Sequence, residues 1–180
     1  MKRHLCSLLL AALIISPSLP VIAATPACDH DPFAGVWQLN PQKSRYPGAT
    51  CPKRMVIVMA CAGNGVRYRS ETTYADGHAS RSEYTANYDG KEAIVMGPGG
   101  LLLPVSLKRL NASTVVASYM RGMQIVATSK RVVSKDGRQM TITTISPDKS
   151  GKKITTIGVY EKSDDLAADM KKDVSKDAGR

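Results

Sequence analysis

The chain has 180 residues, of which 43% are hydrophobic and 22% charged, and a formal net charge of +10. Without a leader this length suits one domain with one core and leaves no room for two. A basic balance attracts nucleic acid or anionic surfaces, but lysine and arginine are spread out here with no long block and no interleaved aromatics, which excludes a nucleic-acid-binding stripe and reads as a solvated basic surface.

Lys2 and Arg3 precede an apolar run from Leu8 to Ile15, and Val21-Ile22-Ala23-Ala24 offers small residues for cleavage. This predicts a secretory signal peptide over 1–24. Pro17 and Pro20 interrupt the run, so it falls short of the roughly twenty apolar residues of a membrane anchor. A lipoprotein site is excluded because Cys28 follows Thr25-Pro26-Ala27, with no aliphatic residue three before it, and Cys6 lies inside the apolar run. The expected product is periplasmic or secreted, with no membrane span.

Cys28, Cys51 and Cys61 remain in a compartment where disulfides persist. Cys51 and Cys61 bracket the apolar run Met55 to Met59. If that run is extended, its ends lie about 30 Å apart at roughly 3.3 Å per residue, far beyond the reach of a bridge. An antiparallel second strand ends near the start of the first, where Cys28 lies, so a Cys28–Cys61 bond is expected with Cys51 left over. The cysteines, His30 and His78 show no paired ligand spacing, and no metal or other cofactor is expected.

From Phe33 to Glu161 the pattern is short alternating runs separated by turn dipeptides: Asn64-Gly65, Asp76-Gly77, Asp89-Gly90, Arg121-Gly122, Asp136-Gly137 and Ser150-Gly151. These suit tight hairpins of type I′, in which both central residues take positive φ. Ten strands are predicted at 33–39, 53–60, 66–74, 79–87, 92–96, 103–109, 114–121, 124–133, 139–146 and 153–161, rich in Thr, Val, Ile and Tyr. In the third, Arg67, Arg69, Glu71 and Thr73 oppose Val66, Tyr68, Ser70 and Thr72. In the fourth, Arg81, Glu83 and Asn87 oppose Ser82, Tyr84, Ala86 and Tyr88. Hydroxyls turned inward are costly in a dry core but suit a hollow barrel that holds water or an amphipathic ligand. Gly97-Pro98-Gly99-Gly100 reads as a loop, since Leu101-Leu102-Leu103-Pro104 follows and not a helix start. Residues 163–180 form a charged tail, disordered or a short helix through Leu166, Met170 and Val174.

Asp31-Pro32-Phe33-Ala34-Gly35-Val36-Trp37-Gln38-Leu39-Asn40 opens the first strand with Gly-x-Trp. With the ten-strand meander and the phrases Glu83-Tyr84-Thr85-Ala86-Asn87-Tyr88-Asp89-Gly90 and Arg131-Val132-Val133-Ser134-Lys135-Asp136-Gly137, residues 31–162 resemble the small exported lipocalin-like proteins of bacteria, within the calycins. The resemblance implies a single antiparallel up-and-down β-barrel near the fatty-acid-binding branch, with Gly35 and Trp37 as structural residues. It implies Trp37 plugging one end, a basic residue packed across it, and a cavity opening at the other end. The helical pair that caps fatty-acid-binding barrels does not fit Pro41 to Pro52, which is short and rich in proline, so a loop takes its place.

The function expected is binding or sequestration of a small hydrophobic or amphipathic ligand, an anionic one included, by Tyr68, Tyr84, Tyr88, Arg109, Arg131, Ile142 and Tyr160. Either arginine presents the planar fork that takes a carboxylate bidentately. The alternative is an envelope or secreted protein that binds a macromolecule through its basic outer surface, with an incidental cavity. Catalysis is not expected: His30 and His78 are poor material for a relay, and a nucleophilic Cys51 would need its thiol acidified by a nearby base or cation, for which Lys53 and Arg54 are weak candidates.

Overall fold

Period-two alternation of β-branched and aromatic residues with charged ones gives each run one dry face and one wet face, and ten such runs wrap into a closed antiparallel barrel. The computed structural model describes residues 31–47, 51–97, 102–148 and 150–164; the expected leader, Cys28 and the tail beyond Asp164 lie outside them. The strands are β1 (Gly35–Leu39), β2 (Arg54–Ala62), β3 (Gly65–Thr73), β4 (Ala79–Asn87), β5 (Asp89–Met96), β6 (Leu102–Asn111), β7 (Thr114–Arg121), β8 (Gln124–Val133), β9 (Gln139–Pro147) and β10 (Lys153–Lys162). Each pairs with its neighbour in sequence, and β1 closes the ring on β10. The ladder is thinnest between β4 and β5, which share the single registered pair Glu83↔Met96.

The expected inward rows are observed. On β3, Val66, Tyr68, Ser70 and Thr72 are all buried, while Arg67 and Glu71 are exposed and Arg69 half-buried. The hairpins differ from expectation in one respect: among the described residues none other than glycine has positive φ, so no fully described hairpin is of type I′. At Tyr74–His78, Ser134–Gln139 and Asp148–Lys152 a backbone bond closes the loop and only Gly77, Gly137 or Gly151 is left-handed. Tyr74–His78 and Asp148–Lys152 are the three-residue alternative, and Ser134–Gln139 encloses four residues. The aspartate before each turn glycine bonds backbone N–H groups instead: Asp76 accepts from His78, and Asp136 from Arg138. The turn glycine of the second hairpin is Gly63 and not Gly65. Gly65 begins β3 where a Cβ would lie 2.0 Å from the Ala86 carbonyl oxygen, so what it supplies is close strand approach.

The interior is divided along the barrel axis. At the end where β1 begins, Phe33, Trp37, Ile57, Met59, Leu107, Val115 and Met140 fill the space and are almost wholly buried. The chain's single phenylalanine and single tryptophan both lie here, and the Trp37 indole N–H donates to the Phe33 carbonyl oxygen at 2.9 Å. Lys162 lays its ammonium 5.2 Å from the Trp37 ring centre, which is the expected basic residue across the tryptophan. Its stem is why position 35 is glycine: a Cβ there would lie 2.7 Å from Lys162 Cε, and Gly35 has φ +131°, a conformation that side chains rarely adopt.

Gly35→Ala is expected to lower stability by about 2 kcal/mol or more, through backbone strain and displacement of the lysine stem. Lys162→Met, which keeps an apolar stem and loses the charge, is expected to cost about 1 kcal/mol or less. Urea unfolding of the two variants checks both, and equal effects would mean that the stem is not what position 35 accommodates.

Candidate functional site

The other half of the barrel is hollow. A cavity of about 480 Å³ opens at the end formed by the β3–β4, β5–β6, β7–β8 and β9–β10 connections. Its apolar wall includes Met55, Val95, Leu103 and Ile142. The rest is dominated by hydroxyls: six of the seven tyrosines line it, with Ser70, Thr72, Ser80, Ser82, Ser129, Thr144 and Thr156.

Arg131 stands at the centre of this lining. Its place on β8, two residues before the inward Val133 and two after the inward Ser129, points it into the barrel, and it is 2% exposed. One guanidinium nitrogen donates to the Tyr84 hydroxyl at 2.7 Å and the Tyr119 hydroxyl at 3.1 Å. The group lies 4.9 Å from the Tyr68 ring centre and 5.9 Å from that of Tyr84. Those two rings stack at 4.6 Å, so a pair of aromatic faces takes part of the load of a buried cation. Among the described residues no carboxylate pairs with Arg131, and Arg131 Nε and Ser129 Oγ are buried without a hydrogen-bond partner. A guanidinium stays charged at any relevant pH, and a buried charge normally has a counter-charge.

Tyr46 enters from the loop that replaces a helical cap. After Asn40 donates to the Val159 carbonyl, the chain turns away at Pro41 and rejoins β10 at Arg45, which exchanges two 2.7 Å backbone bonds with Ile157. Tyr46 then shares a side-chain hydrogen bond with Tyr160, whose hydroxyl lies 3.2 Å from Met55 Sδ. Gly158 makes this possible, since a Cβ there would lie 2.9 Å from the Tyr46 hydroxyl and 2.8 Å from the Tyr160 ring.

Of the seven ligand-contact residues expected from the sequence, Tyr68, Tyr84, Arg131, Ile142 and Tyr160 line this cavity, whereas Tyr88 and Arg109 do not. Arg109 lies at the filled end, 2.6 Å from Asp31 and 4.0 Å from the Tyr88 ring centre, with Phe33 beneath it. It is a neutralised end-plug and not an anchor. Tyr46, Tyr119 and Ser129 were not anticipated. Ser129 and Tyr119 were legible in principle, being on the inward rows of Arg131 and Ala117; Tyr46 had no periodic signal. Cys51 is free and exposed, and among the described residues no group of three or more His, Cys, Asp or Glu could hold a metal.

No family model and no curated protein matches the chain. Among solved structures it is similar to the zebrafish ileal bile acid-binding protein in complex with cholic acid, at 14% identity and a TM-score of 0.50, over 73% of this chain and 99% of that one. At that identity the likeness extends to the fold: an all-β closed barrel of the fatty-acid-binding and lipocalin-like class.

Burial pushes the Tyr68 and Tyr88 phenols up to about 12, the Asp31 carboxylate adding to the effect at Tyr88, and holds Tyr84 and Tyr160 well above the ordinary value of 10. Unfolded, each ionises near 10, so between about 10 and 12 the folded state keeps protons that the unfolded state loses. Their contribution to stability is complete below pH 10 and lost as pH rises towards 12. Alkaline titration is therefore expected to show late phenolate absorbance from these tyrosines, coincident with loss of the β-sheet dichroism. Complete ionisation of all seven at the ordinary value in a still-folded barrel would contradict it.

Proposed function

We propose that the protein is a carrier that binds or sequesters a small amphipathic anion in the barrel cavity, with Arg131 as its anchor. The observation that carries this reading is the buried guanidinium without a carboxylate partner, whose Nε is unpaired, as is the hydroxyl of Ser129 two residues before it on the same inward row. A carboxylate, sulfate or phosphate group on a ligand supplies both the missing counter-charge and the missing acceptor. The hydroxyl-rich wall, broken by Met55, Leu103 and Ile142, suits a body that mixes apolar surface with oxygen functions. Tyr68, Tyr84, Ile142 and Tyr160 form the contact surface, and Tyr46 stands at the entrance. The similarity to a barrel solved with cholic acid is in keeping with a ligand of that general size and polarity. No cofactor and no chemical step is part of the reading.

The carrier is proposed to act outside the cytoplasm, in the periplasm or secreted, after loss of residues 1–24. A Cys28–Cys61 bridge belongs to the same reading, supported by Cys51 being free and Cys61 disulfide-bonded.

The test is Arg131→Met, with cholate and dodecanoate as anionic probes and dodecanol as an uncharged control, measured by calorimetry. Loss of an unshared buried anchor is expected to weaken the anionic probes by about ten- to a hundredfold and leave the alcohol unchanged. Because a lone buried charge is costly, the same variant is expected to unfold at the wild-type midpoint or above it. Native mass spectrometry of gently purified protein gives an independent readout. A barrel that is empty and ignores both anions would end the carrier reading.

A further inference from the structure

A different surface of the molecule points beyond the cavity. Among the described residues most large hydrophobic side chains that remain exposed lie on one side: Ile94 and Met96 on β5, and Met123 and Ile125 at the β7–β8 hairpin, are each more than half exposed, Met123 fully so. Ile145 on β9 is exposed as well, whereas Leu110 lies by the β6–β7 turn at the other end. The register joins them. Ile94 pairs with Pro104, the β6–β7 ladder carries that row across beside Val105↔Tyr119, and Met120 pairs with Ile125. Tyr119 follows Val115 and Ala117 on the inward row into the cavity lining, and Met120 beyond it lies outside the internal core cluster although it is buried. The outer wall of β5–β8 therefore carries exposed apolar side chains towards the open end, joined across the buried Met120 and bordered on β4 by the exposed Glu83 that pairs with Met96, on the same strands whose inner faces give Val95, Leu103 and Tyr119 to the cavity. A patch of this kind marks an interaction surface.

The charge on the rim of the open end selects the partner. Lys53, Arg54, Arg121, Lys152 and Lys153 are exposed at this end, and none is in an ion pair among the described residues. The acids on its described connections are Asp76 and Asp148, and both accept from backbone N–H groups of their own turns. The opposite end is balanced by Asp31, Asp136 and Asp164, with Arg109 on Asp31 and Arg138 on Asp164. Two copies meeting through the patch would bring two basic rims together. An anionic lipid surface instead accepts the apolar tip and attracts the rim in one contact, as amphipathic interfacial elements do.

We propose that the open end of the barrel docks on an anionic lipid bilayer, with Met123 and Ile125 entering the interface and the basic rim against the headgroups. In that pose the cavity mouth faces the membrane, so an amphipathic molecule can pass between bilayer and barrel with little exposure to water. The contact stands on surface features alone and does not depend on Arg131.

Co-sedimentation of the full chain with vesicles of phosphatidylglycerol and phosphatidylcholine, against pure phosphatidylcholine, tests it. Binding is expected to the anionic vesicles, to fall with added salt, and to drop about tenfold or more in the Met123→Ser/Ile125→Ser double variant. Dichroism and urea unfolding of that variant establish that it is folded. Met123→Trp is expected to shift its emission to the blue on the anionic vesicles, which simple adsorption of a basic surface would not produce. Three results would overturn the proposal: no binding to the anionic vesicles, wild-type binding by the folded double variant, or a patch that instead drives self-association of the protein without vesicles.

Discussion

Closing a ten-strand sheet on itself requires its first and last strands to meet, and the first strand here is only five residues long. Three registered pairs with β10 and four with β2 hold it, so side-chain packing must supply what the short ladders cannot. Trp37 does this from the middle of the strand, with Lys162 of β10 lying across its ring and Ile57 of β2 paired beside it. Gly35 is the condition for that arrangement, because its φ and the lysine stem both exclude a side chain. The Gly-x-Trp spacing thus has a mechanical reading: the glycine admits the stem, the residue between falls on the other face of the strand, and the tryptophan becomes the hub on which the seam closes.

The packing that follows is uneven by design of the sequence. Apolar bulk is concentrated at the end where β1 begins, and the inward rows turn to serine, threonine and tyrosine towards the other end. Close packing at the filled end is where an interior stabilises most. The hollow end costs stability, since hydroxyls and a cation are withdrawn from bulk water with few fixed partners. One end therefore holds the barrel shut so that the other can stay open, polar and shaped for something besides the protein itself.

The fold was legible because alternation, turn glycines and Gly-x-Trp all act locally. The strand faces follow from period two alone, and Tyr68, Tyr84, Ile142 and Tyr160 follow from the faces. Arg109 and Arg131 could not be separated that way: both lie on inward rows, the register even joins them through Val115, and what divides them is the distant Asp31, which neutralises one and not the other. Tyr88 fails for the same reason. Tyr46 was hidden because its position depends on Arg45 rejoining β10 after a turn, a long-range pairing with no periodic signature. Asn64-Gly65 misled because two glycines flank the asparagine, and only the structure distinguishes the one that turns the chain from the one that lets β3 approach β4.

The location of Arg131 connects these points. A cation placed in the filled half would be crushed against apolar groups, and one on the rim would be screened by water and bind weakly. Near the inner end of β8, the eighth of its ten residues, it reaches into the cavity lining, where Tyr68 and Tyr84 face it and it is almost wholly buried. There the effective dielectric is low enough for its charge to matter and the partial compensation by tyrosine is good enough for the barrel to tolerate it. An acidic residue on a neighbouring strand would have satisfied the guanidinium fully and removed its pull on any incoming anion. Its isolation from carboxylates is what turns a buried arginine from a structural feature into a receptor for charge.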